Sequence, residues 1–226
     1  MSKYVKGSMV LYENNRTVVI ATGLLRPSQN SKTAAMSQTF ILRKKIPPTN
    51  ANKGAGCEGC PVFEGCYVRW EQAPTSVHKA YKRGRYDTFE WGWKDLALLA
   101  NHPMRVGSAG EPTEMPAQQW MEILAHVGSW TGYTHKWKDP DNLEYRAFCM
   151  ASVHNVRDME IANKRGWRTY RVGGEPMTKD EVMCPHYTTG VQCADCKLCS
   201  GTKSTAKNIY APAHGARKNK VKEITT

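Results

Sequence analysis

Residues 147–153 read AFCMASV, and this short apolar run decides the fold class. A continuous apolar stretch of this length is typical of a strand that is buried on both faces of a sheet. The residues from Val156 to Arg165 are predicted to form a helix, and Arg168–Val172 a further strand. A strand, a helix and a second strand in this order predict a parallel pair joined by a right-handed crossover.

The same alternation extends back along the chain to about Thr39. The additional predicted strands are Thr39–Leu42, Met104–Val106 and Trp130–Thr134. Three additional helices are predicted: one at Thr75–Arg83, one that begins at Asp87, and one that begins with Pro116. The second of these carries Phe89, Trp93, Leu96 and Leu99 on one face. Too few units fit for an eight-stranded barrel. We therefore expect an α/β protein with a partial (βα) barrel or an open, mostly parallel sheet, and with a C-terminal cysteine-rich cluster loop.

Four segments are predicted along the chain. Residues 1–38 contain a hairpin, with strands at Met9–Tyr12 and Thr17–Thr22. Residues 39–183 form the α/β core, residues 184–215 a cysteine cluster segment, and residues 216–226 a basic tail. Functional residues in such a core are expected where the strands end. These positions are Gly107–Pro112, His135, Ser152–Asn155 and Gly173–Glu175.

The first cysteine group comprises Cys57, Cys60 and Cys66, with glycines and a proline between them. Glycine lets the backbone wrap closely around a small object, and thiolates at this spacing are typical of a metal or iron–sulfur site. Three ligands leave one position open for chemistry. The alternative is a structural zinc site that is completed by a histidine or by Cys149. A cysteine in an apolar strand such as that of Cys149 usually packs as a small hydrophobic residue.

The second cysteine group comprises Cys184, Cys193, Cys196 and Cys199. Three thiols at successive three-residue steps, with a distant cysteine followed by proline, are typical of a ferredoxin-like loop. We therefore predict a [4Fe–4S] cluster here, with zinc as the alternative. His186 is a spare ligand candidate.

The composition favours acidic partners. The formal net charge is +12 and the sequence pI is about 9.4, which is consistent with binding to nucleic acid or nucleotides. The chain has no apolar run long enough for a membrane span and no apolar stretch at its N-terminus. We therefore expect a cytoplasmic protein, in which eight cysteines are ligands rather than disulfides.

The order of these features resembles the opening of radical S-adenosylmethionine enzymes. In that superfamily three thiolates hold a [4Fe–4S] cluster, and a glycine–glutamate turn receives the cofactor's amino group. The resemblance implies that Cys57, Cys60 and Cys66 hold the cluster, that Gly110 and Glu111 contact S-adenosylmethionine, and that Tyr67 flanks the adenine. The cysteine spacing departs from the usual pattern, with two and then five intervening residues rather than three and then two.

The chain is more closely similar to a family of tailed-phage and prophage proteins with a distant radical-enzyme-like character. The shared signatures lie at residues 57–67, 105–112, 130–135, 150–153, 166–172, 209–215 and the last four cysteines. The resemblance covers about residues 39–215 and implies a host-cell cytoplasmic location.

Two functions therefore remain open at the level of the sequence. The first is an iron–sulfur enzyme that acts reductively on a nucleotide or nucleic acid. The second is a non-enzymatic nucleic-acid-binding or interaction protein with structural iron–sulfur or zinc sites. The sequence identifies no catalytic residue. His135 and His154 are acid–base candidates because each follows a predicted strand.

Overall fold

The computed structural model describes residues 7–203, 205–213 and 217–225. The strands are Met9–Glu13 (β1), Thr17–Thr22 (β2), Ser37–Arg43 (β3), Asp87–Thr88 (β4), Met104–Ala109 (β5), Trp130–Thr134 (β6), Met150–Val153 (β7), Thr169–Gly173 (β8), Glu181–Met183 (β9) and Asn208–Pro212 (β10). The α-helices are Ala73–Lys82 (α1), Trp93–Ala100 (α2), Ala117–Leu124 (α3), Val156–Lys164 (α4), Pro185–Thr189 (α5), Cys193–Cys196 (α6) and Lys218–Thr225 (α7).

The ten strands form one open sheet in the order β4-β1-β2-β3-β5-β6-β7-β8-β10-β9. The pairs β1/β2 and β2/β3 are antiparallel, and all other neighbouring pairs are parallel. The predicted open, mostly parallel α/β sheet is confirmed, and the sheet is not closed. The segment predicted as a C-terminal cysteine loop contains two short helices, α5 and α6.

The predicted N-terminal hairpin is confirmed and is continuous with the rest of the sheet. Strand β2 pairs with β3 along its whole length, from Thr17 opposite Arg43 to Thr22 opposite Gln38. The hairpin turn is closed by the backbone N–H of Asn14, which donates to the carbonyl oxygen of Thr17 at 3.0 Å. The hairpin therefore extends the sheet beyond β3, and most residues of β2 are buried.

The prediction of a helix that begins at Asp87 is wrong over the first turn of that helix. Asp87 and Thr88 pair with β1 instead, and the N–H of Phe89 donates to the carbonyl oxygen of Val10 at 2.9 Å. Trp91 then adopts a φ of +59°, which no right-handed helix accommodates, so the helix begins only at Trp93. Tertiary strand pairing here outweighs the local helical pattern.

The predicted strand over residues 147–153 is shorter in the structure. Residues Pro140–Ala147 form a 3₁₀ helix, and β7 covers only Met150–Val153. The carboxylate of Asp139 caps that helix by accepting from the N–H of Asp141 at 3.0 Å, and Pro140 occupies its first turn. The capped 3₁₀ helix therefore includes Ala147, the first residue of the predicted strand.

The sheet has different layers on its two faces. The main core lies between one face and helices α2–α4, where Trp120, Ile123 and Met159 pack against the sheet. The opposite face carries α1 and the first cysteine group above β1–β3. It carries the second cysteine group above β6–β10. Both cysteine groups are therefore positioned on the face that α2–α4 leave open.

Candidate functional site

The first cysteine group lies on a chain of tight turns. The N–H of Cys60 donates to the carbonyl oxygen of Cys57 at 3.1 Å, Phe63 to Cys60 at 3.2 Å and Cys66 to Phe63 at 3.1 Å. Three consecutive turns of this kind fold the segment back on itself. Cys57 and Cys66 pack against the apolar cluster of β1–β3.

The three thiols of this group influence one another electrostatically. The pKa of Cys60 is raised to about 11, mainly by burial and with contributions from the charges of Cys66 and Glu111, which together outweigh a hydrogen bond from the backbone of Val62. Burial also raises the pKa of Cys57 far above its ordinary value, with Glu111, Cys60 and Cys66 adding to the effect. A bound cation would supply the positive charge that such thiols need to ionise.

The Gly110-Glu111-Pro112 turn is joined directly to this loop. The N–H of Glu111 donates to the carbonyl oxygen of Ala55 at 3.3 Å. Gly110 has a φ of +94°, and a Cβ there would lie 2.1 Å from the carbonyl oxygen of Ile41. Only glycine fits this position, and it lets the end of β5 lie close to β3 at Ile41.

The Glu111 side chain is 4% exposed and its carboxylate is held by protein donors. Oε1 accepts from Thr134 Oγ1 at 2.5 Å and from the N–H of Thr113 at 3.4 Å, and Oε2 accepts from the N–H of His135 at 3.1 Å. Burial raises the pKa of Glu111, and these hydrogen bonds oppose that rise. Glu111 therefore links the end of β5 to the end of β6.

A buried ion pair between Arg43 and Glu114 packs against the first cysteine loop. Both terminal nitrogens of Arg43 contact the Glu114 carboxylate, and Nη2 also lies 3.3 Å from Glu58 Oε2. A Cβ at Gly56 would lie 2.7 Å from Cγ of Glu114, so the loop rests directly on this carboxylate. Glu58 follows Cys57, and its contact with Arg43 fixes the direction of the loop.

Helix α7 packs on the same loop. Val221 is buried, and its Cγ2 would lie 2.7 Å from a Cβ at Gly65. Arg217 Nη1 donates to the carbonyl oxygen of Glu64 at 3.4 Å, and Lys220 Nζ lies 3.7 Å from Glu64 Oε2. The basic C-terminal segment from 217 onward therefore covers the turn between Cys60 and Cys66.

Cys149 lies on the other face of the sheet. It is fully buried within the main core, and a side chain at Gly132 would meet its Sγ at 3.0 Å. The first cysteine group packs against the opposite face, so the strands separate the two. Burial raises the pKa of Cys149 well above its ordinary value. This environment is that of a packed hydrophobic residue.

The four cysteines of the second group surround one narrow cavity. It is lined by Cys184, Cys193, Cys196 and Cys199, together with Lys32, Thr131, Tyr133, Pro185, His186, Val191, Lys197, Leu198 and Ile209. Burial raises the pKa of Cys199 to about 12. His186 Nδ1 lies 3.3 Å from the carbonyl oxygen of Val191, which accounts for that nitrogen.

Backbone hydrogen bonds attach each part of the second group to the sheet or to the N-terminal segment. The N–H of Cys184 donates to Tyr210 at 2.7 Å, Cys193 to Lys32 at 2.8 Å, and the carbonyl oxygen of Cys199 accepts from Gly132 at 2.9 Å. The guanidinium of Arg168 donates to four carbonyl oxygens of the following segment, those of Leu198, Gly201, Ala206 and Lys207. The positions of Cys184, Cys193 and Cys199 are therefore each set by a different part of the chain.

In the described ranges, no three or more His, Cys, Asp or Glu side chains lie close enough together to hold a single metal ion. Sulfur atoms around one tetrahedral zinc lie about 3.8 Å apart, given a zinc–sulfur distance of about 2.3 Å. The thiols of each group are neighbours without converging to that degree.

The predicted grouping of polar residues at the strand ends includes two histidines in contact. Nε2 of His154 lies 3.4 Å from Nδ1 of His135, and the rings stack with centroids 5.3 Å apart. Burial, with His154 nearby, lowers the pKa of His135 to about 3, and burial also lowers that of His154. Both imidazoles are therefore neutral at pH 7, and the backbone N–H of His135 joins this pair to the Glu111 carboxylate.

Three cations near the cysteines were missed by the sequence interpretation. Lys32 comes from the N-terminal segment after the hairpin, Arg105 from a predicted apolar strand and Arg168 from the first position of a predicted strand. The only signal was the alternation of Met104, Arg105 and Val106, which places the arginine on the face opposite the main core.

Comparisons with known proteins found no matching family model, no matching curated protein and no matching solved structure. None of the helices in the described part of the chain has the length and apolar character required to cross a membrane.

Proposed function

We propose that this chain is an iron–sulfur protein with a radical-enzyme-like core. Cys57, Cys60 and Cys66 would hold one [4Fe–4S] cluster with an open coordination position. The second group of four cysteines would hold another. The observation that carries the proposal is the placement of three thiols beside Gly110 and Glu111, with Cys149 on the far face of the sheet.

The chemistry of both donor sets supports a polynuclear cluster. Four thiols line one cavity without meeting at the spacing of a single zinc ion, and a cubane presents separate irons to separate ligands. Lys32 lines that cavity, and its positive charge offsets part of the negative charge of a thiolate-bound cluster. The C-terminal cysteine segment would thus be a cluster-binding unit.

The order of the core strands agrees with this proposal. Strands β3, β5, β6, β7 and β8 lie side by side in the order of the chain, and all four pairs are parallel. This order supports a partial (βα) barrel, in which the strand ends and their loops would carry the functional groups. Gly110, His135 and His154 occupy such ends.

The chain's own residues would prepare the site for S-adenosylmethionine. Gly110 allows the end of β5 to approach Ile41 of β3, the N–H of Glu111 reaches Ala55 in front of the cysteine loop, and the Glu111 carboxylate holds the ends of β5 and β6 together. Glu111 is thus a positioning residue, because its carboxylate is occupied by Thr134, Thr113 and His135. Tyr67, which is 56% exposed, provides a ring beside the last cysteine of the group. When bound, the cluster supplies the electron for reductive cleavage of the cofactor.

A second candidate is a non-enzymatic protein with structural metal sites. It is favoured by the full engagement of the Glu111 carboxylate and by α7, which covers part of the first loop. In this case the metals would hold irregular segments against the sheet, and the basic surface would bind nucleic acid.

Titration with S-adenosylmethionine separates the two candidates. The anaerobically purified protein is expected to bind the cofactor, and Glu111→Gln is expected to weaken binding about tenfold or more with the iron content unchanged. Glu122→Gln removes an exposed carboxylate and should leave affinity unaltered. Absence of binding to the wild-type protein, or equal affinity in Glu111→Gln, would remove the enzymatic proposal.

A further inference from the structure

Trp93 is the most exposed large hydrophobic side chain in the described part of the chain, at 75%. The sequence predicts it on the apolar face of a helix with Phe89 and Leu99, and those two residues are buried. Because β4 pairs with β1, α2 begins only at Trp93, and the side chain stays in solvent. Trp91, two residues earlier, is also exposed, at 45%. Two neighbouring exposed tryptophans are unusual in a folded chain and indicate a binding surface.

The ring of Trp91 is held in a fixed position by its neighbours. Its φ of +59° is a left-handed conformation that a bulky residue rarely adopts, and such strain persists only where the surrounding contacts maintain it. Those contacts are edge-to-face, with the ring centroid 4.7 Å from that of Phe89 and 6.1 Å from that of His126. A ring that is already fixed and still exposed loses little conformational entropy when a ligand packs against it.

Cations flank both tryptophans. Residues 82–94, here called the 82–94 surface, carry four cations and two carboxylates, and the exposed cations are Lys82, Arg83, Arg85 and Lys94. None of these four forms a salt bridge with a carboxylate of the described residues. Lys94 Nζ lies 5.5 Å from the ring centroid of Trp93. From Arg85 to Trp91 the chain can span at most about 20 Å, so unpaired charge and aromatic rings share one continuous surface.

We propose that the 82–94 surface binds single-stranded nucleic acid, with bases stacked on Trp91 and Trp93 and phosphates bound by the four cations. Every base has a π face, so exposed aromatic rings stack on unpaired bases of any sequence while neighbouring cations bind the backbone. The bases of a duplex are already stacked on one another, so a single strand fits this surface better. The net charge of +12 favours the approach of a polyanion. The proposal goes beyond the proposed function and does not depend on either cysteine group.

A membrane surface is the rival partner, because tryptophan beside lysine is also typical of residues at a membrane interface. An interfacial helix, however, needs an apolar face that is free to enter lipid. In α2 that face is used by the core, since Leu99 is fully buried and Leu96 and Leu98 pack against the same core. Only the two tryptophans remain exposed, which favours stacking on bases over insertion into lipid.

Fluorescence anisotropy of a labelled oligothymidylate of about 12 nucleotides tests the proposal on the full chain. Trp93→Leu keeps an apolar side chain but removes the aromatic face. It is expected to weaken binding by about 5- to 100-fold, the range that one base–aromatic stack supplies. Trp93→Phe should retain most of the affinity. Leu143→Ala removes a different exposed apolar side chain and should leave the affinity unchanged.

The cations are tested by the dependence of the affinity on salt. Replacing Arg83 and Arg85 together by glutamine should reduce the slope of log K against log salt concentration by about 1.4, since each phosphate contact on a single strand contributes about 0.7. The matched control replaces Arg157 and Lys164 by glutamine and should leave the slope unchanged. Both are exposed on α4, which packs against β7 and β8, far from β4 in the strand order.

Iron and sulfide are measured on the same preparations, so this inference and the proposed function fail in different ways. Equal affinity of wild type and Trp93→Leu for the oligonucleotide, or tighter binding of the matching duplex, would overturn the inference and leave the clusters standing. Failure of the wild-type protein to bind the oligonucleotide would overturn it outright. Binding to phosphatidylglycerol vesicles in that case would assign the surface to a membrane.

Discussion

Replacing Glu114 by alanine is expected to lower the free energy of unfolding by about 3–5 kcal/mol, the cost of breaking a buried ion pair. The guanidinium of Arg43, only 5% exposed, would lose its main carboxylate partner and keep the contact with the partly exposed Glu58 and the hydrogen bond to Thr17 Oγ1. Thr17 Oγ1 and Lys136 Nζ would lose a partner as well, at 3.1 Å and 3.5 Å. Urea unfolding followed by tryptophan fluorescence measures the change.

The same pair predicts a pH dependence. Burial alone raises the pKa of Glu114, but hydrogen bonds and charge from Arg43 outweigh it and hold the pKa below its ordinary value. A lowered pKa in the folded state means that the carboxylate stabilises the fold above its unfolded pKa of about 4.3, and that this contribution is lost as the pH falls. The difference between wild type and Glu114→Ala should therefore narrow below about pH 4.

Glu13→Ala is the matched control, because Glu13 forms a surface pair with Lys44 at 2.5 Å with both side chains partly exposed. Such pairs contribute at most about 1 kcal/mol. A second comparison joins Arg43→Met with Glu114→Leu, which removes both charges and should recover much of the lost stability. If Glu114→Ala were no more costly than Glu13→Ala, the buried pair would not support the cysteine loop as described.

Gly110→Ala is expected to cost about 2–5 kcal/mol, the sum of left-handed strain and overpacking. The added Cβ would lie 2.1 Å from the carbonyl oxygen of Ile41 and 2.8 Å from its Cβ, so β3 and β5 would have to separate. Because Glu111 is the next residue, the turn would also move away from Ala55 and the first cysteine group. Thermal unfolding and metal content of the variant measure both effects.

Gly84→Ala separates the two causes. Gly84 has a φ of +63°, and no atom lies within 4 Å of the position that its Cβ would take. This variant therefore carries only the strain, about 1–2 kcal/mol. If both variants lowered the free energy of unfolding equally, the close contact between β3 and the end of β5 would not contribute to the effect of Gly110→Ala.

The core strands could be predicted because their apolar residues are the residues that the structure buries. Trp130–Thr134 appears with the predicted bounds, and the Val156 helix differs by one residue at its end. Strands β9 and β10 were missed because each is short and its pairing is distant in sequence, with Ile209 opposite Tyr170. Edge pairing of this kind leaves little trace in local periodicity.

The candidate site was predictable in its cysteines and strand ends, but not in the partners that support them. The spacing of the cysteines and the Gly110-Glu111-Pro112 turn can be read directly from the sequence. The burial of Glu111 and the contact of His135 with His154 arise only when distant segments meet. Whether Cys149 could join a site depended on which side of the sheet its thiol occupies, and an apolar run does not indicate the side.

Iron, sulfide and zinc analysis of protein purified without oxygen tests the central claim most directly. The two-cluster proposal predicts about eight irons and eight sulfides per chain, with a broad visible absorption band. About four irons should remain in Cys66→Ser or in Cys199→Ser, and all of them in Cys149→Ser. Colourless protein with stoichiometric zinc, or a loss of iron in Cys149→Ser, would contradict the proposal.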